Sequence, residues 1–324
     1  MPTESATKNN KMSSIKKFLS EYNIIVITVA MIIIATILEG TTFFSLQNFL
    51  NIIRNNSVLG IIALGMAFVI ITGNIDLSVG AQLVVAGTIL LSVLNATGSI
   101  VIAILACLVS SCLISLLTSV IVTKGKVPSF IVTLGMSYVL RSVATFVMDA
   151  RGMTGSVEQF KAISNTVIGG VFPLMILYFI IMFVIYFYIS KYTVIGRRIY
   201  AVGSNEKATR LSGINTDRVK MIAFLLLGLA VGVAAIMEAS RMNSINSTSS
   251  GLQYELNAIA MAVVGGVAME GGKGKMVNVL FGVFILGIIN NILTLVGMNV
   301  YLVSAVKGAI IIFATLAQRK DKEN

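Results

Sequence analysis

Long apolar runs separated by short polar segments make up most of this chain. A bilayer core about 30 Å thick needs about 20 mostly apolar residues per helix, so the pattern predicts ten membrane-spanning helices. The predicted spans are 22–38, 56–73, 79–96, 99–122, 129–148, 167–189, 221–239, 257–271, 276–296 and 300–317. We therefore expect an all-α polytopic membrane protein with a tail at 1–21, a membrane domain at 22–317 and a second tail at 318–324.

Composition excludes several classes of protein. Of the 324 residues, 56% are hydrophobic and 11% are charged. Soluble domains carry about 25% charged residues, and disordered chains combine high charge with low hydrophobicity, so neither class fits. The absence of histidine excludes a Ser-His-Asp triad and a His-based zinc protease site. Cys107 and Cys112 share one apolar run and are expected to pack there, with no metal site.

The distribution of basic residues predicts the topology. A net charge of +11 would suggest nucleic-acid binding in a soluble protein. In a membrane protein, Lys and Arg instead concentrate in cytoplasmic loops. With ten spans and a cytoplasmic N-terminus, most basic residues fall on that side, in the tails and the loops 123–126, 190–220 and 272–275. We therefore expect both termini to be cytoplasmic and no nucleic-acid partner.

A polar break interrupts the apolar pattern within ALGMAFVIITGNIDLSVGA, residues 63–81. Asn74 and Asp76 fall where one apolar helix ends and the next begins. Asp76 or Ser78 can cap the free amides of the second helix. Two interpretations stay open at this point. The break is either a capped tight turn at the cytoplasmic interface or a broken helix whose backbone lines a cavity.

The basic loop at 190–220 is a second polar segment and contains GRRIYAVGSNEKATRLSGI. The stretch Ser204-Asn205-Glu206 can cap a short helix, and Gly213 can end it. A short capped helix on the cytoplasmic surface would dock a partner protein. The alternative is that the loop is basic only because cytoplasmic loops generally are.

Further polar residues lie between 241 and 275. A Ser-, Asn- and Thr-rich stretch is too polar to span and is expected outside, with Gln253 and Glu255 at the mouth of the next span. Such side chains suit a sugar polyol, although any exposed loop can carry them. Lys307 is the ionisable residue nearest the middle of a predicted span, where burial is costly. The candidates for a substrate path are Asn74, Asp76, Ser78, Gln253, Glu255 and Lys307.

Three segments carry a family resemblance: ALGMAFVIITGNIDLSVGA, GRRIYAVGSNEKATRLSGI and the run AIAMAVVGG…EGGKGK. Together they resemble the membrane permeases of bacterial monosaccharide ABC importers, of the ribose permease type. The resemblance extends from about residue 44 to about residue 315 and keeps the three segments in order. Asn257 replaces an Asp that is more usual in ribose permeases, and VVGGVAMEGG departs from their usual string. These departures leave the identity of the sugar open.

The resemblance implies a transport subunit, not an enzyme, in the bacterial cytoplasmic membrane. It implies pairing with an identical or a second permease chain, ATPase subunits on the cytoplasmic side and a sugar-binding protein outside. ATP would bind the partner, and this chain would bind no cofactor; it also lacks a GxxxxGK[ST] phosphate loop. The segment 203–213 would be the ATPase-coupling helix. Its coupling residues would be Gly203, Ser204, Asn205, Glu206, Ala208, Thr209, Arg210, Leu211 and Gly213.

Ribose is the first expectation for the transported compound, with other monosaccharides, autoinducer-2 and nucleosides as alternatives. An ion-coupled secondary transporter is the competing hypothesis. The long basic loop and the scarcity of carboxylates within the predicted spans disfavour it, because ion-coupled transport generally relies on such groups.

Overall fold

The computed structural model describes residues 23–299 and, beyond them, residues 302, 305, 306, 308 and 309. Both predicted tails, Lys307 and most of the predicted tenth span lie outside the described residues.

Helices form almost all of the described chain. They are α1 (Asn23–Phe43), α2 (Leu46–Ile71), α3 (Val79–Thr97), α4 (Ile100–Gly125), α5 (Ser129–Val147), α6 (Ala162–Asn165), α7 (Leu174–Tyr192), α8 (Val194–Ser204), α9 (Glu206–Leu211), α10 (Thr216–Met242), α11 (Tyr254–Val264) and α12 (Met276–Leu295). Two short antiparallel pairs join strands β1 (Gly152–Thr154) to β4 (Ser244–Asn246) and β2 (Val167–Ile168) to β3 (Phe172–Pro173). A 3-10 turn covers Glu158–Lys161.

Seven of the helices within the described part are long and apolar enough to cross a membrane: α2, α3, α4, α5, α7, α10 and α12. This confirms the predicted class, an all-α chain with several membrane spans. The number ten and the cytoplasmic location of both termini stay predictions.

Two of the predicted spans have the wrong bounds. Residues 167–173 form the β2–β3 hairpin instead of helix, because Gly169 and Gly170 both take positive φ and turn the chain. The span predicted at 257–271 is the 11-residue helix α11. It ends where Gly266 adopts a φ of +81°. At 1.5 Å per residue α11 is about 16 Å long, about half of the bilayer core.

The centre of the bundle is built from α2, α3 and α10, which are mostly buried, whereas α4 and α5 are mostly exposed. Small residues on α10 bring it close to α4, as the sequence motif Gly228-xxx-Gly232 predicts. The Ser111 hydroxyl donates to the Gly228 carbonyl at 2.7 Å. Cys107 is a free, buried thiol in the same contact. We therefore expect a displacement of α10 to displace α4 and the central helices α2 and α3, on which it packs.

The loops gather into two sets at opposite ends of the bundle. We call one the basic end: the segments 72–75, 122–130, 194–220 and 265–275, which share contacts such as Gly272 N–H to the Ile71 carbonyl and the Tyr200 hydroxyl to the Gly274 carbonyl. At the opposite end, β1 pairs with β4 and the Asn95 amide donates to the Thr154 carbonyl. This grouping is the one that ten alternating spans require.

Candidate functional site

A short capped helix projects from the basic end. The Asn205 side chain caps α9 by accepting from the Ala208 N–H at 2.9 Å, and Gly213 adopts a φ of +80° just beyond its end. The predicted helix is therefore present. Ser204 does not cap it, because Ser204 is the last residue of α8.

Glu206 fastens this helix to α10. Its Oε1 accepts hydrogen bonds from Arg210 at 3.2 Å and from the Thr216 hydroxyl at 3.1 Å, and its Oε2 accepts one from Lys220 at 2.7 Å. Partial burial raises the pKa of Glu206, but the hydrogen bond and charge of Lys220, with help from Thr216 and Arg210, outweigh it and lower the pKa below its usual value. The attachment is therefore complete at neutral pH and weakens only as the pH falls through that lowered pKa.

The two sides of α9 differ in exposure. Thr209 is buried, and its hydroxyl donates to the Ala201 and Asn205 carbonyls. Leu211 is 89% exposed, and Lys207 and Ala208 are exposed beside it. One side of α9 is therefore held against the permease and the other, with Leu211, is open to solvent.

A cavity of about 590 Å³ lies next to α9, between it and the α4–α5 loop. Its lining is mixed polar and apolar and includes five charged side chains. They are Lys126, Glu206, Arg210, Asp217 and Lys220. Asn74, one of the predicted path residues, lies on the opposite wall.

The non-helical segment between α2 and α3, residues 72–78, leads from the basic end back into the bundle. Gln82, one turn into α3, donates to the Ser111 carbonyl at 2.7 Å and the Ser115 hydroxyl at 2.9 Å. Both serines lie near the middle of α4, a helix about 39 Å long. Asp76 and Ser78 are fully buried. This supports the broken-helix interpretation over a tight turn at the interface.

The Asp76 side chain bonds to Ser78, the N-cap residue of α3, and within the described residues Ser78 makes no side-chain capping bond, so the free amides of α3 are not capped as the sequence predicts for Asp76 or Ser78. The Asp76 Oδ1 accepts from the Ser78 N–H at 2.7 Å and from the Ser78 hydroxyl at 2.6 Å. Its Oδ2 is buried and has no hydrogen-bond partner in the part of the chain that the structure describes. An anionic group at a helix N-terminus is stabilised by the helix dipole, and the free oxygen leaves one acceptor available.

The turn that precedes α11 lies next to this break and contacts the start of α3. Arg141 of α5 donates to the Ser247 carbonyl at 3.0 Å and the Ser250 carbonyl at 2.8 Å, holding the turn that precedes α11. Gly80 then packs on that turn, since a Cβ built there would lie 2.2 Å from the Gly251 carbonyl oxygen. We call 247–253 the re-entrant turn. It brings the N-terminus of α11 against the N-terminus of α3, inside the bundle.

The predicted path residues consequently fall into groups. Asp76, Ser78 and Glu255 come together around Gly80, where a Cβ would be 2.7 Å from the Glu255 Oε2, and the Asp76 and Glu255 charges interact. Glu255 lies in the first turn of α11, and the re-entrant turn brings this helix start against α3. Gln253 is exposed beside it with a φ of +62°. Lys307 is outside the described residues.

A stripe on α5 was missed in the sequence. Gly135, Tyr138 and Ser142 lie on one face of this helix, and Tyr138 is 70% exposed. Their spacing of three and four residues places them in line. Polar and small residues on one side of an otherwise apolar span are the signal that could have found them.

Two arginines lie side by side at the opposite end of the bundle. Arg54 of α2 donates to the Asn165 side chain at 3.4 Å, and Arg241 of α10 donates to the Asn55 side chain at 2.9 Å. Their charges interact with each other. Within the described residues neither arginine forms a direct ion pair with a carboxylate, although the Glu238 carboxyl, one helical turn before Arg241, interacts with it electrostatically.

Comparison with known proteins identifies the class. Residues 48–315 match the family model described as branched-chain amino acid transport system / permease component. The chain is 38% identical to the ribose import permease protein of Haemophilus influenzae over 94% of each chain, and 36% identical to that of Bacillus subtilis over 90% of each. It is 34% identical to the galactose/methyl galactoside import permease protein of Escherichia coli over 92% of this chain and 93% of that one. No solved structure matches.

These matches identify the chain as a permease component, that is, a membrane transport subunit. The matches show that the chain belongs to the family of these permease components, and so is a multi-pass protein of the bacterial inner membrane.

Proposed function

We propose that this chain is the membrane permease of an ATP-driven importer of a monosaccharide, with ribose as the substrate. The observation that carries the proposal is α9, a short helix held by Glu206 on one side and exposed on the other. It offers a separate ATPase a firm point of attachment. The names of the relatives, several of which are ribose import permeases, support the choice of sugar.

The proposed mechanism converts movement of α9 into opening of a path. ATPase subunits bind the exposed side of α9, centred on Leu211. Because Glu206 bonds to Lys220 and Thr216, a displacement of α9 carries the start of α10 with it. Helix α10 packs on α2, α3 and α4, so its movement alters the contact around Gly80 where two helix N-termini meet.

The chemistry around Gly80 suits a sugar. The free Oδ2 of Asp76 and the Glu255 carboxylate can accept hydrogen bonds from sugar hydroxyls. The same group would serve other monosaccharides, so the choice among them rests on the relatives and on the external binding protein.

We further propose ten spans, with both termini and the basic end in the cytoplasm. The gathering of the basic loops at one end supports this orientation. A second permease chain would pack along α5, where Tyr138 and Ser142 are exposed. Lipid tails offer no partner for these polar groups, and a facing copy would give the path its other wall.

Uptake of labelled sugar tests the proposed substrate. Expressed with its ATPase and binding protein in cells that lack their own ribose uptake, this chain is expected to accumulate labelled ribose. Unlabelled ribose should compete more strongly than galactose or arabinose. Stronger competition by another sugar would replace ribose as the substrate, and no accumulation of any monosaccharide would contradict the proposed function.

The arginine pair is the proposed docking point of the external binding protein. Arg54 lies about two turns into α2 and Arg241 lies at the end of α10, both in largely enclosed helices and on the side opposite the basic end. Carboxylates on the partner would neutralise them. The double variant Arg54→Glu, Arg241→Glu should therefore raise the binding-protein concentration for half-maximal ATPase stimulation by about tenfold or more. The reversal Arg151→Glu, in an exposed loop of the same end, is the control; an equal shift in both would refute the assignment.

A further inference from the structure

Three segments meet at the basic end in close contact of backbone on backbone. They are the end of α2 at Ile71, the end of α8 at Gly203 and Ser204, and the turn at Gly271 and Gly272 between α11 and α12. The Gly272 N–H donates to the Ile71 carbonyl at 2.8 Å. We call this contact the glycine junction.

Glycine is required at each contact of the junction. A Cβ on Gly203 would lie 1.7 Å from the Ile71 carbonyl oxygen and 2.4 Å from the Gly272 nitrogen. A Cβ on Gly272 would lie 2.7 Å from the Ser204 Cα, and Gly272 also has a φ of +74°. All the atoms nearest Gly203 and two of the three nearest Gly272 are backbone atoms, which cannot give way as the end of a flexible side chain does.

Side chains of α8 add two bonds to the same turn. The Tyr200 hydroxyl donates to the Gly274 carbonyl at 2.9 Å, and the Ser204 hydroxyl donates to the Gly272 carbonyl at 3.4 Å. The last two turns of helix α8 are therefore hydrogen-bonded to the Gly-rich turn. Helix α8 leads directly into α9, the proposed attachment point of the ATPase.

The other two segments of the junction lead to the interruptions of the membrane helices. Ile71 is followed by the break at 72–78 that contains Asp76. Gly271 and Gly272 lie in the non-helical stretch between α11, which begins at the re-entrant turn, and α12. A displacement of α8 and α9 is thus transmitted to both helix breaks by contact of rigid backbone, in addition to the route through Glu206 and α10.

We propose that Gly203, Gly271 and Gly272 are positioning residues for coupling, which pass the movement of the ATPase-bound helix directly to both broken helices. This inference rests on the proposed function. It assigns a role to the Gly-rich turn at 271–274 through its contacts with α8 and the end of α2 within the permease.

The test compares Gly203→Ala with Gly125→Ala in the assembled complex with ATPase and binding protein. Gly125 lies at the basic end of α4, where the nearest atom to an added Cβ is at an ordinary 3.7 Å. We expect Gly203→Ala to raise the ATP hydrolysed per sugar imported by about fivefold or more, within the range that mutations along a coupling route produce. Gly125→Ala should keep the wild-type ratio.

A milder variant keeps the test decisive if Gly203→Ala does not assemble. Tyr200→Phe removes the hydroxyl that bonds to Gly274 without touching the backbone, and it should raise the same ratio while the yield of complex stays normal. If Tyr200→Phe and any assembled Gly203→Ala hydrolyse the wild-type amount of ATP per sugar imported, the proposed coupling role of the glycine junction is wrong. If the wild-type complex and Gly125→Ala import no sugar, the proposed function fails instead.

Discussion

Replacing Glu206 by arginine is expected to abolish ATP-driven uptake while the chain still inserts into the membrane. The substitution removes two hydrogen bonds that tie α9 to α10 and a third within α9, and it places a cation beside Arg210 and Lys220. Hydrogen bonds to charged groups contribute about 1.5–3 kcal/mol each, but Glu206 is 38% exposed, and solvent reduces this. A total of about 2 kcal/mol still lowers the population of attached α9 more than tenfold.

Uptake of labelled sugar and co-purification of the ATPase measure this effect. Glu206→Gln keeps one acceptor oxygen and should be intermediate. Arg210→Glu should act in the same direction, because it would face both Glu206 and Asp217. Glu158→Arg, which changes an exposed acid at the opposite end of the bundle, is the matched control. Normal uptake in both Glu206→Arg and Arg210→Glu would show that α9 does not couple this chain to an ATPase.

Replacing Asp76 by alanine is expected to reduce uptake by at least about tenfold with little loss of the assembled complex. The change leaves the buried Ser78 N–H and hydroxyl without their acceptor, a cost of about 1–3 kcal/mol. It also removes the negative charge that faces the N-termini of α3 and α11, worth about 0.3–1 kcal/mol or more when buried. Both losses fall on the contact around Gly80 where we place the path.

The asparagine variant separates the two contributions. Asp76→Asn keeps an oxygen for the Ser78 contacts but loses the charge, so an uptake close to that of Asp76→Ala would assign the effect to charge. Asp149→Asn neutralises an exposed acid at the opposite end and should leave uptake unchanged. Wild-type uptake by Asp76→Ala would show that Asp76 is not part of the path and that the break at 72–78 has a purely structural role.

Local sequence signals predicted the elements that depend on neighbouring residues. Helix α9 follows from Asn205 and Gly213, which act on amides and carbonyls within one helical turn. The break around Asp76 follows from an apolar run that stops and restarts. These features depend on residues that are close together in the chain, so the sequence alone suffices to find them.

Features that depend on distant residues escaped the sequence. The re-entrant turn is held by Arg141, more than a hundred positions away in the chain, and without that contact 247–253 looks like an ordinary polar loop. The sequence therefore does not reveal that Glu255, expected at the mouth of the next span, lies against Gly80 of α3. Apolar composition likewise hid the β2–β3 hairpin, because Val167, Ile168 and Phe172 suit a strand as well as a span.

Reconstitution in vesicles tests the central claim most directly. The complex of this chain with its ATPase is placed in vesicles with identical ions on both sides, and binding protein and labelled ribose are added outside. We predict that ribose accumulates only when ATP is enclosed with the ATPase domains, and not at all in the Glu206→Arg complex. Accumulation by this chain without any ATPase, driven by an imposed proton or sodium gradient, would contradict the account.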